Sequence, residues 1–343
     1  MKPLATDIAI DLGTFKTILY SGSKVVLEQP SVATVDTDTW DPLYFGDDAD
    51  RMVGRIPETL STVFPIASGA ISDYNVTEAM LTHYMRLAFG QRIIKPRVIV
   101  TVPTGLTTVQ HRSIANAVEA AGGRNTCIIE SPVASAIELG ADFEHARGCM
   151  IIDIGAGVTD IAVLSMGGLV EHVTETTASG DFDDAIMKYI QRERHILIGL
   201  QTARNIKTQI GSALHRNVEV AVTAKGQNLF SGLPHTFEVT TNEIYGALKP
   251  CIDTICRAVR KVTEKTPPDI LADVMADGIH LTGGGSQLFG MDTLLSQFTG
   301  MKVIRADNPA QTAVRGAYKA LKNPRLIQNG DYLYRSIQEL IVE

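Results

Sequence analysis

The chain lacks an excess of positive charge and long apolar runs, and each absence excludes a class of protein. Its 343 residues carry a formal net charge of −7, whereas a nucleic-acid-binding protein normally presents a basic face. No apolar run reaches the roughly 18 residues that a membrane span needs, and the opening MKPLATDIAI has no apolar signal segment. We therefore expect a cytoplasmic protein with no nucleic-acid partner.

Cysteine is also scarce, and it does not occur in close C-x-x-C pairs. Cys127, Cys149, Cys251 and Cys256 each lie in an apolar context. This pattern is typical of reduced thiols in or near a core, and it argues against a disulfide framework or a zinc site. With 45% apolar and 20% charged residues, the chain has the composition of a globular protein long enough for two domains.

The stretch MIIDIGAGVTDIAV, residues 150–163, places Asp153 after an apolar run and puts Gly155 and Gly157 soon after it. A carboxylate removed from water costs several kcal/mol unless a cation or hydrogen-bond donors compensate it. Glycines let a ligand approach backbone N–H groups, and successive N–H groups form a nest for anions. A phosphate carrying a divalent metal would satisfy both features, whereas a hairpin whose Asp caps its own turn is the alternative.

The same order of residues occurs earlier, in IAIDLGTFKTILY at residues 8–20. Asp11, Gly13 and Thr17 there correspond to Asp153, Gly155 and Thr159 in the second copy. Apolar and β-branched residues flank both turns without a helical period, which predicts strand, turn and strand in each case. Two hairpins with matching acids predict two similar domains that bind one polyphosphate between them.

A third glycine turn lies in LTGGGSQL, residues 281–288, between an apparent strand and a helix. Three glycines at a helix N-terminus allow a phosphate or the flat face of a purine to approach the backbone. The alternative is a tight connection between strand and helix with no ligand.

Together with KPRVIVTVPTGLT, IESPVASAI and TPPDILADVMADGIHLTGGG, the three turns carry a resemblance to a known group. The chain resembles the actin, hexokinase and heat-shock chaperone ATPase superfamily, and most closely the bacterial actins of the MreB family, from residue 7 to about residue 321. The resemblance implies an α/β, actin-like ATPase fold. Two ribonuclease H-like domains, each with a smaller peripheral subdomain, would enclose a nucleotide in a central cleft.

The resemblance also implies where the domains lie. Domain I would span residues 1–140, with a peripheral subdomain at about 31–72, and would be completed by C-terminal helices at about 318–343. Domain II would span residues 141–317, with a peripheral subdomain at about 180–243. In the tail, the apolar spacing of YRSIQELIV predicts a short amphipathic helix. We favour docking of this helix on its own domain over the alternative, binding of a partner.

The resemblance implies ATP and Mg²⁺ as cofactors, with Asp11 and Asp153 as catalytic residues that hold the Mg²⁺ through its water ligands. It also implies the nucleotide-binding residues, which form two phosphate turns, an adenosine loop and a helix beside the ribose: Gly13, Thr14, Phe15, Lys16, Gly155, Ala156, Gly157, Val158, Thr159, Arg204, Asn205, Lys207, Gly283, Gly284, Gly285 and Ser286.

The chain departs from the family pattern at several of these positions. Phe15 and Lys16 stand where bacterial actins usually have small and amide residues, so Lys16 either contacts phosphate or points away. Arg204 and Asn205 replace an acidic pair expected near the ribose, which affects the expected nucleotide affinity.

Gln110, the third catalytic candidate, stands where MreB-like proteins usually carry a glutamate thought to activate the attacking water. A glutamine cannot take up a proton as a carboxylate can, but its amide can orient water. The spacing Thr107-x-x-Gln110 also fits a capping box, so Gln110 alternatively closes the first turn of its helix. We favour the water-positioning role and expect slow hydrolysis.

Ile93 and Ile94 occupy the place where similar bacterial actins carry an apolar pair that enters the membrane. Cations flank the pair at Arg92, Lys95 and Arg97, which suits an anionic bilayer surface. The alternative is that both isoleucines begin a buried strand.

The resemblance therefore implies a slow ATPase that polymerises head to tail and lies at the inner face of the cytoplasmic membrane. With cell-wall elongation proteins as partners, it would organise cell-wall synthesis and rod shape. Two alternatives stay open, namely a small-molecule kinase of the same superfamily and a nucleotide-binding scaffold that does not hydrolyse.

Overall fold

The computed structural model describes residues 7–90, 94–142, 145–323 and 335–336. Its strands in chain order are β1 (Ile8–Leu12), β2 (Lys16–Ser21), β3 (Lys24–Pro30), β4 (Ala33–Asp36), β5 (Pro42–Phe45), β6 (Leu60–Val63), β7 (Ile66–Ala67), β8 (Ala70–Ile71), β9 (Arg97–Val102), β10 (Arg124–Glu130), β11 (Cys149–Ile154), β12 (Thr159–Ser165), β13 (Gly168–Glu175), β14 (Ile196–Leu197), β15 (Ala221–Asn228), β16 (Pro234–Thr240), β17 (Ile279–Thr282), β18 (Val303–Arg305) and β19 (Arg335–Ser336).

Helices alternate with these strands, as expected for an α/β protein. They are α1 (Gly46–Met52), α2 (Tyr74–Phe89), α3 (Thr108–Ala120), α4 (Ser131–Leu139), α5 (Ser179–Arg194), α6 (Leu200–Ile210), α7 (Thr241–Lys265), α8 (Pro268–Asp277), α9 (Met291–Thr299) and α10 (Thr312–Lys322), with 3₁₀ turns at Gly284–Gln287 and Pro309–Gln311. Within the described ranges, none of the helices combines the length and the apolar character needed to cross a bilayer.

Two central sheets share one plan. The first has the strand order β19, β10, β9, β1, β2, β3, and the second has the order β13, β12, β11, β17, β18. In each sheet an antiparallel hairpin, β1–β2 or β11–β12, continues into a third antiparallel strand, while β9 or β17 pairs in parallel with the first hairpin strand. This duplicated plan confirms the predicted fold class, two similar α/β domains.

We call the first sheet with β4–β8, α1–α4 and α10 lobe I, and the second sheet with β14–β16 and α5–α9 lobe II. Each lobe carries a smaller sheet, β5–β4–β6 beside lobe I and β14–β15–β16 beside lobe II. These correspond to the predicted peripheral subdomains. The predicted boundary at residue 317 falls inside α10, and the domain boundaries stay predictions.

The helix α10 packs against α4 with almost no space between the two backbones. A Cβ on Gly316 would lie 1.7 Å from the carbonyl oxygen of Ala134, so only glycine fits there. Around this contact, Val314 and Leu321 share a buried apolar cluster with Ile99. At the far end of α10, Lys322 pairs with Asp7 at 2.7 Å.

The tail differs from its sequence prediction where it is described. Arg335 and Ser336 form the edge strand β19, which pairs antiparallel with Cys127 and Ile128 of β10. The helix predicted for YRSIQELIV is therefore wrong at these two positions, because an open sheet edge satisfies their backbone groups. The rest of that stretch lies outside the described residues.

Candidate functional site

The two acid-bearing hairpins form matching turns, as their sequences predict. In the first, the N–H of Gly13 donates to the carbonyl of Lys16 at 3.1 Å. In the second, the N–H of Gly155 donates to the carbonyl of Val158 at 2.9 Å. The predicted arrangement of strand, turn and strand is confirmed in both copies.

Asp11 lies near the end of β1, next to Thr101 on the parallel strand β9. The hydroxyl of Thr101 donates to Oδ1 of Asp11 at 2.8 Å. Burial nevertheless raises the pKa of Asp11 to about 6, because the surrounding protein disfavours the charged form more than this hydrogen bond favours it.

Asp153 occupies the corresponding position of lobe II, between Asp160 on β12 and Thr282 on β17. Burial, together with the negative charges of Asp11 and Asp160, raises the pKa of Asp153 to about 8. The two hairpin acids thus influence each other across the cleft. A pair of carboxylates in this situation favours a cation.

The glycines of this site are required by close approach. A Cβ on Gly157 would lie 2.2 Å from Oγ1 of Thr14, so the two hairpin turns touch. Gly283 has a φ of +81°, and a Cβ there would lie 2.3 Å from Oδ1 of Asp153. The third glycine turn therefore packs directly on the acid of lobe II.

A cavity of about 690 Å³ lies between the lobes. Asp11 and Asp153 line it, with most of the residues that the sequence predicts to bind nucleotide: Gly13, Thr14, Phe15, Lys16, Gly155, Ala156, Gly157, Val158, Lys207, Gly283, Gly284 and Gly285. The three predicted glycine turns thus meet at one cavity.

Four predicted nucleotide-binding residues are not among those that line the cavity. Thr159 is buried, and its hydroxyl donates to the carbonyl of Thr177. Ser286 is buried, and its hydroxyl donates to the carbonyl of Gly283, which holds the glycine turn. Asn205 is exposed on α6, and Arg204 points toward lobe I.

The glycine segment differs from its prediction in local geometry. It leads into the 3₁₀ turn Gly284–Gln287, and the α-helix α9 begins only at Met291. The glycines therefore do not form the N-terminus of an α-helix. Their close approach to Asp153 explains why small residues are needed.

Two lysines border the cavity, and both are paired with acids. Nζ of Lys207 lies 2.8 Å from Oδ1 of Asp183 and donates to the carbonyl of Ser179 at 2.7 Å. Burial lowers the pKa of Lys207 and raises that of Asp183, since each side chain is largely removed from water. Nζ of Lys16 pairs with Glu28 at 2.7 Å.

Gln110 forms the capping box that its spacing predicts. Its side-chain oxygen accepts from the backbone N–H and the hydroxyl of Thr107, both at 2.9 Å, and Thr107 Oγ1 accepts from the N–H of Gln110. Gln110 is not among the residues that line the cavity. The capping interpretation is confirmed, and the water-positioning role stays a prediction.

Sequence reasoning missed a buried acid, Asp160, and its connection between the lobes. The backbone N–H of Thr104 donates to Oδ2 of Asp160 at 2.9 Å, and its hydroxyl donates to Oδ1 at 2.8 Å. Thr104 belongs to lobe I, whereas Asp160 belongs to lobe II. The second acid of the motif DIGAGVTD was the available signal.

It also missed a stacked pair on the cavity wall. The guanidinium of Arg216 lies 3.7 Å from the ring centroid of Phe289, and both residues line the cavity. Arg216 and Phe289 are distant in sequence, so no local pattern indicates the contact.

Of the predicted membrane pair, Ile93 lies outside the described residues. Ile94 precedes β9, which begins at Arg97, and 37% of its surface is exposed. The alternative of a buried strand is therefore wrong for Ile94.

The acids Asp11 and Asp153, which line the cavity, fit a magnesium ion by their chemistry. Carboxylate oxygens are the protein ligands that Mg²⁺ prefers, and the ion is usually held by one or two of them with phosphate and water. Within the described part of the chain, no group of three or more His, Cys, Asp or Glu residues could hold a metal ion. Asp11 and Asp153 are the two carboxylates that would hold Mg²⁺ beside a bound phosphate.

Comparison with known proteins identifies the family. The model of the family described as "MreB/Mbl protein" matches residues 5–329. The chain belongs to the MreB/Mbl family. It is 37% identical to the cell shape-determining protein Mbl of Bacillus subtilis, over 93% of this chain and 96% of the relative. It is 38% identical to the cell shape-determining protein MreB of Escherichia coli K12, over 93% and 94% of the two chains.

Solved structures of MreB-like proteins have the same fold. The crystal structure of Spiroplasma citri MreB5 bound to ADP matches with a TM-score of 0.88 and 29% identity, over 94% of this chain and 97% of that chain. The same protein bound to AMPPNP gives a TM-score of 0.88 and 28% identity, with the same coverage. A chain of the MamK double helical filament matches with a TM-score of 0.79 at 20% identity, over 93% and 99%, which shows the fold alone.

Proposed function

We propose that this chain is a nucleotide-dependent cell-shape protein that binds ATP with Mg²⁺ between its lobes and polymerises head to tail. The observation that carries the proposal is the meeting of Asp11, Asp153 and three glycine turns at one cavity. The relatives named as cell shape-determining proteins support the cellular role. The MreB5 structures with ADP and AMPPNP support a nucleotide as the ligand.

Each part of the cavity has a role in this proposal. The turns that begin at Gly13 and Gly155 bind the phosphates by donating backbone N–H groups to them, because successive amides in such turns attract anions. Asp11 and Asp153 hold the water ligands of the metal, and bound Mg²⁺ supplies neutralisation of charge on the phosphates. The glycine turn at 283–285 lies beside the nucleoside.

In this proposal the chain polymerises through a heterologous contact, in which one surface of a subunit binds a different surface of the next. A head-to-tail interface does not close on itself, so it grows a filament. Nucleotide controls assembly only if ATP and ADP differ in their affinity for the assembled and free forms. We propose that the filament lies at the inner face of the cytoplasmic membrane and organises cell-wall synthesis with elongation proteins. The exposed Ile94, before β9, supports the membrane contact.

A second candidate function differs from the first only in whether the bound nucleotide is hydrolysed. The side-chain oxygen of Gln110 already accepts two hydrogen bonds from Thr107. Because these hydrogen bonds occupy the side-chain oxygen of Gln110, they favour slow hydrolysis. If hydrolysis is absent altogether, the chain is a scaffold that binds nucleotide without cleaving it.

The deciding experiment combines nucleotide binding with electron microscopy. The purified chain is examined by negative stain with Mg²⁺ and ATP, with Mg²⁺ and ADP, and without nucleotide, while binding of a fluorescent ATP analogue is titrated in parallel. We expect saturable binding and ordered polymers only with nucleotide. Asp153→Asn should lose both, whereas Asp38→Asn, at an exposed acid, should keep both. Polymers that form equally without nucleotide, or an absence of binding, would contradict the proposal.

A further inference from the structure

Arg204 lies on α6 of lobe II, but two of its contacts are in lobe I. Its Nη1 donates to Oδ1 of Asp50 on α1 at 3.3 Å. Its guanidinium carbon lies 4.2 Å from the ring centroid of Phe15. Arg204 therefore bridges the two walls of the cleft, although the family resemblance implies a position beside the ribose.

Arg204 also pairs with an acid of its own lobe. Its Nε lies 3.8 Å from Oδ2 of Asp183 on α5, and the other oxygen of Asp183 pairs with Lys207. Four groups are thus linked in order, from Lys207 through Asp183 and Arg204 to Asp50. The bridge is held by a helix on each side.

The bridge is also shielded from solvent. The side chain of Arg204 is 16% exposed, and that of Asp50 is 24% exposed. Ion pairs in such surroundings are screened less than pairs on an open surface. We therefore expect the Arg204–Asp50 pair to stabilise the contact between the lobes more than an exposed ion pair would.

Phe15 connects the bridge to the phosphate turn. It lies between Gly13 and Lys16 in the first hairpin turn, and it lines the cavity. A guanidinium over an aromatic face is attracted by the ring, more so when water is excluded. Any separation of the lobes at this point must break this stacking and the pair with Asp50.

We propose that Arg204 is a positioning residue that clasps lobe II onto Asp50 and Phe15 and thereby slows release of the bound nucleotide. This inference rests on the proposed function, in that the cavity is taken to hold a nucleoside triphosphate. A ligand between the lobes leaves when they separate, so the clasp acts on the rate of release. Arg204 itself does not line the cavity, so its action passes through Phe15 and α1.

The test measures release of a fluorescent ATP analogue, chased by excess ATP in a stopped-flow instrument, from the full chain with Mg²⁺. Arg204→Ala and Asp50→Asn should each speed release by about tenfold, which corresponds to about 1.4 kcal/mol. The double variant should be no faster than the faster single variant, because both changes open one clasp. Arg204→Lys keeps the charge but loses the planar face, so we expect an intermediate rate.

Matched controls lie on α1 and α5, the helices that carry Asp50 and Asp183. Asp48→Asn is on α1, and Arg192→Ala is on α5; both side chains are exposed, and each forms an ion pair within its own lobe. Both controls should release the analogue at the parent rate. Clasp variants within twofold of the parent, or a double variant whose effects multiply, would overturn the proposal.

A ligand-free measurement separates the clasp from the proposed function. If the parent chain fails to bind the analogue, the nucleotide proposal falls, while small-angle X-ray scattering still tests the clasp. Arg204→Ala should then show a larger radius of gyration than the parent, and equal radii would overturn the inference. Asp50→Asn removes no volume, so it provides the same comparison if Arg204→Ala fails to fold.

Discussion

Gly157 of lobe II lies directly against Thr14 of lobe I, so the two hairpin turns touch across the cleft. A Cβ at position 157 would lie 2.2 Å from the hydroxyl oxygen of Thr14 and 2.8 Å from its Cβ. This contact sets how closely the two turns approach. A side chain at position 157 therefore changes the width of the site.

We expect Gly157→Ala to weaken ATP binding by about tenfold, because the added methyl group forces the two turns apart. Fluorescence titration with an ATP analogue measures the dissociation constant. Gly246→Ala, on α7 where a Cβ meets nothing within 4 Å, is the matched control and should bind as the parent does. Equal affinity of Gly157→Ala and the control would show that the turns adjust freely.

Asp153→Asn should stabilise the ligand-free protein in a pH-dependent way. The pKa of Asp153 is about 8 in the folded chain and 3.8 in an unfolded reference. Between these values the folded state keeps a proton that the unfolded state has released, so the parent loses stability as pH rises from about 4 to about 8 and loses no more above that. The neutral amide does not suffer this loss.

Thermal unfolding without nucleotide and Mg²⁺ measures this effect. We expect Asp153→Asn to melt about 2 to 5 °C above the parent at pH 8.5, with a smaller difference at pH 5. The exposed acid in Asp38→Asn serves as the control and should give no such trend. A difference between Asp153→Asn and the parent that is independent of pH would be inconsistent with the raised pKa.

Lys207→Met should destabilise the fold, because it leaves the buried carboxylate of Asp183 without its nearest cation. Arg204 lies 3.8 Å from the same carboxylate and retains part of the compensation, so we expect a loss of about 2 kcal/mol in the free energy of unfolding. Urea denaturation measures it. Lys249→Met, which breaks an exposed pair with Asp253, should cost less than about 0.5 kcal/mol. Equal losses in the two variants would refute the buried-pair argument.

Gln110 variants separate capping from catalysis. Gln110→Glu keeps an acceptor for Thr107 and adds a proton acceptor, so we expect phosphate release to rise by about tenfold. Gln110→Ala should slow phosphate release and lower the stability of α3 by about 1 kcal/mol. Phosphate release is measured for each variant, and the free energy of unfolding is measured beside it. A loss of the cap is thereby distinguished from a loss of catalysis. Unchanged rates in both variants would remove Gln110 from the mechanism.

Ile94→Ser should reduce binding to anionic liposomes, because the exposed isoleucine would no longer enter the bilayer surface. Co-sedimentation with liposomes containing an anionic lipid measures the bound fraction, and we expect it to fall by about half or more. Val218→Ser removes an exposed apolar side chain from lobe II and should leave binding unchanged. Binding of Ile94→Ser at the parent level would count against membrane insertion.

The sequence predicts the centre of the site because the site is duplicated. Asp11 and Asp153 stand in equivalent hairpins, and local apolar patterning determines both hairpins. The cap of α3 by Thr107 and Gln110 is equally local, since four consecutive residues contain all its partners. Features of this kind need no knowledge of distant contacts.

Other features depend on tertiary contacts that no local pattern contains. Arg204 meets Asp50 and Phe15 from another lobe, so its role beside the ribose was expected only by resemblance. The tail residues Arg335 and Ser336 have helical spacing around them, but the free edge of β10 offers backbone partners that override that preference.

The tight packing of Gly316 against Ala134 also determines when lobe I can be completed during synthesis. Its core needs α10, whose residues leave the ribosome only after the whole of lobe II has been made. The face of α4 that α10 covers therefore stays open to solvent while the later lobe is translated. Lobe I, whose first strands are translated before lobe II, therefore completes its core after lobe II.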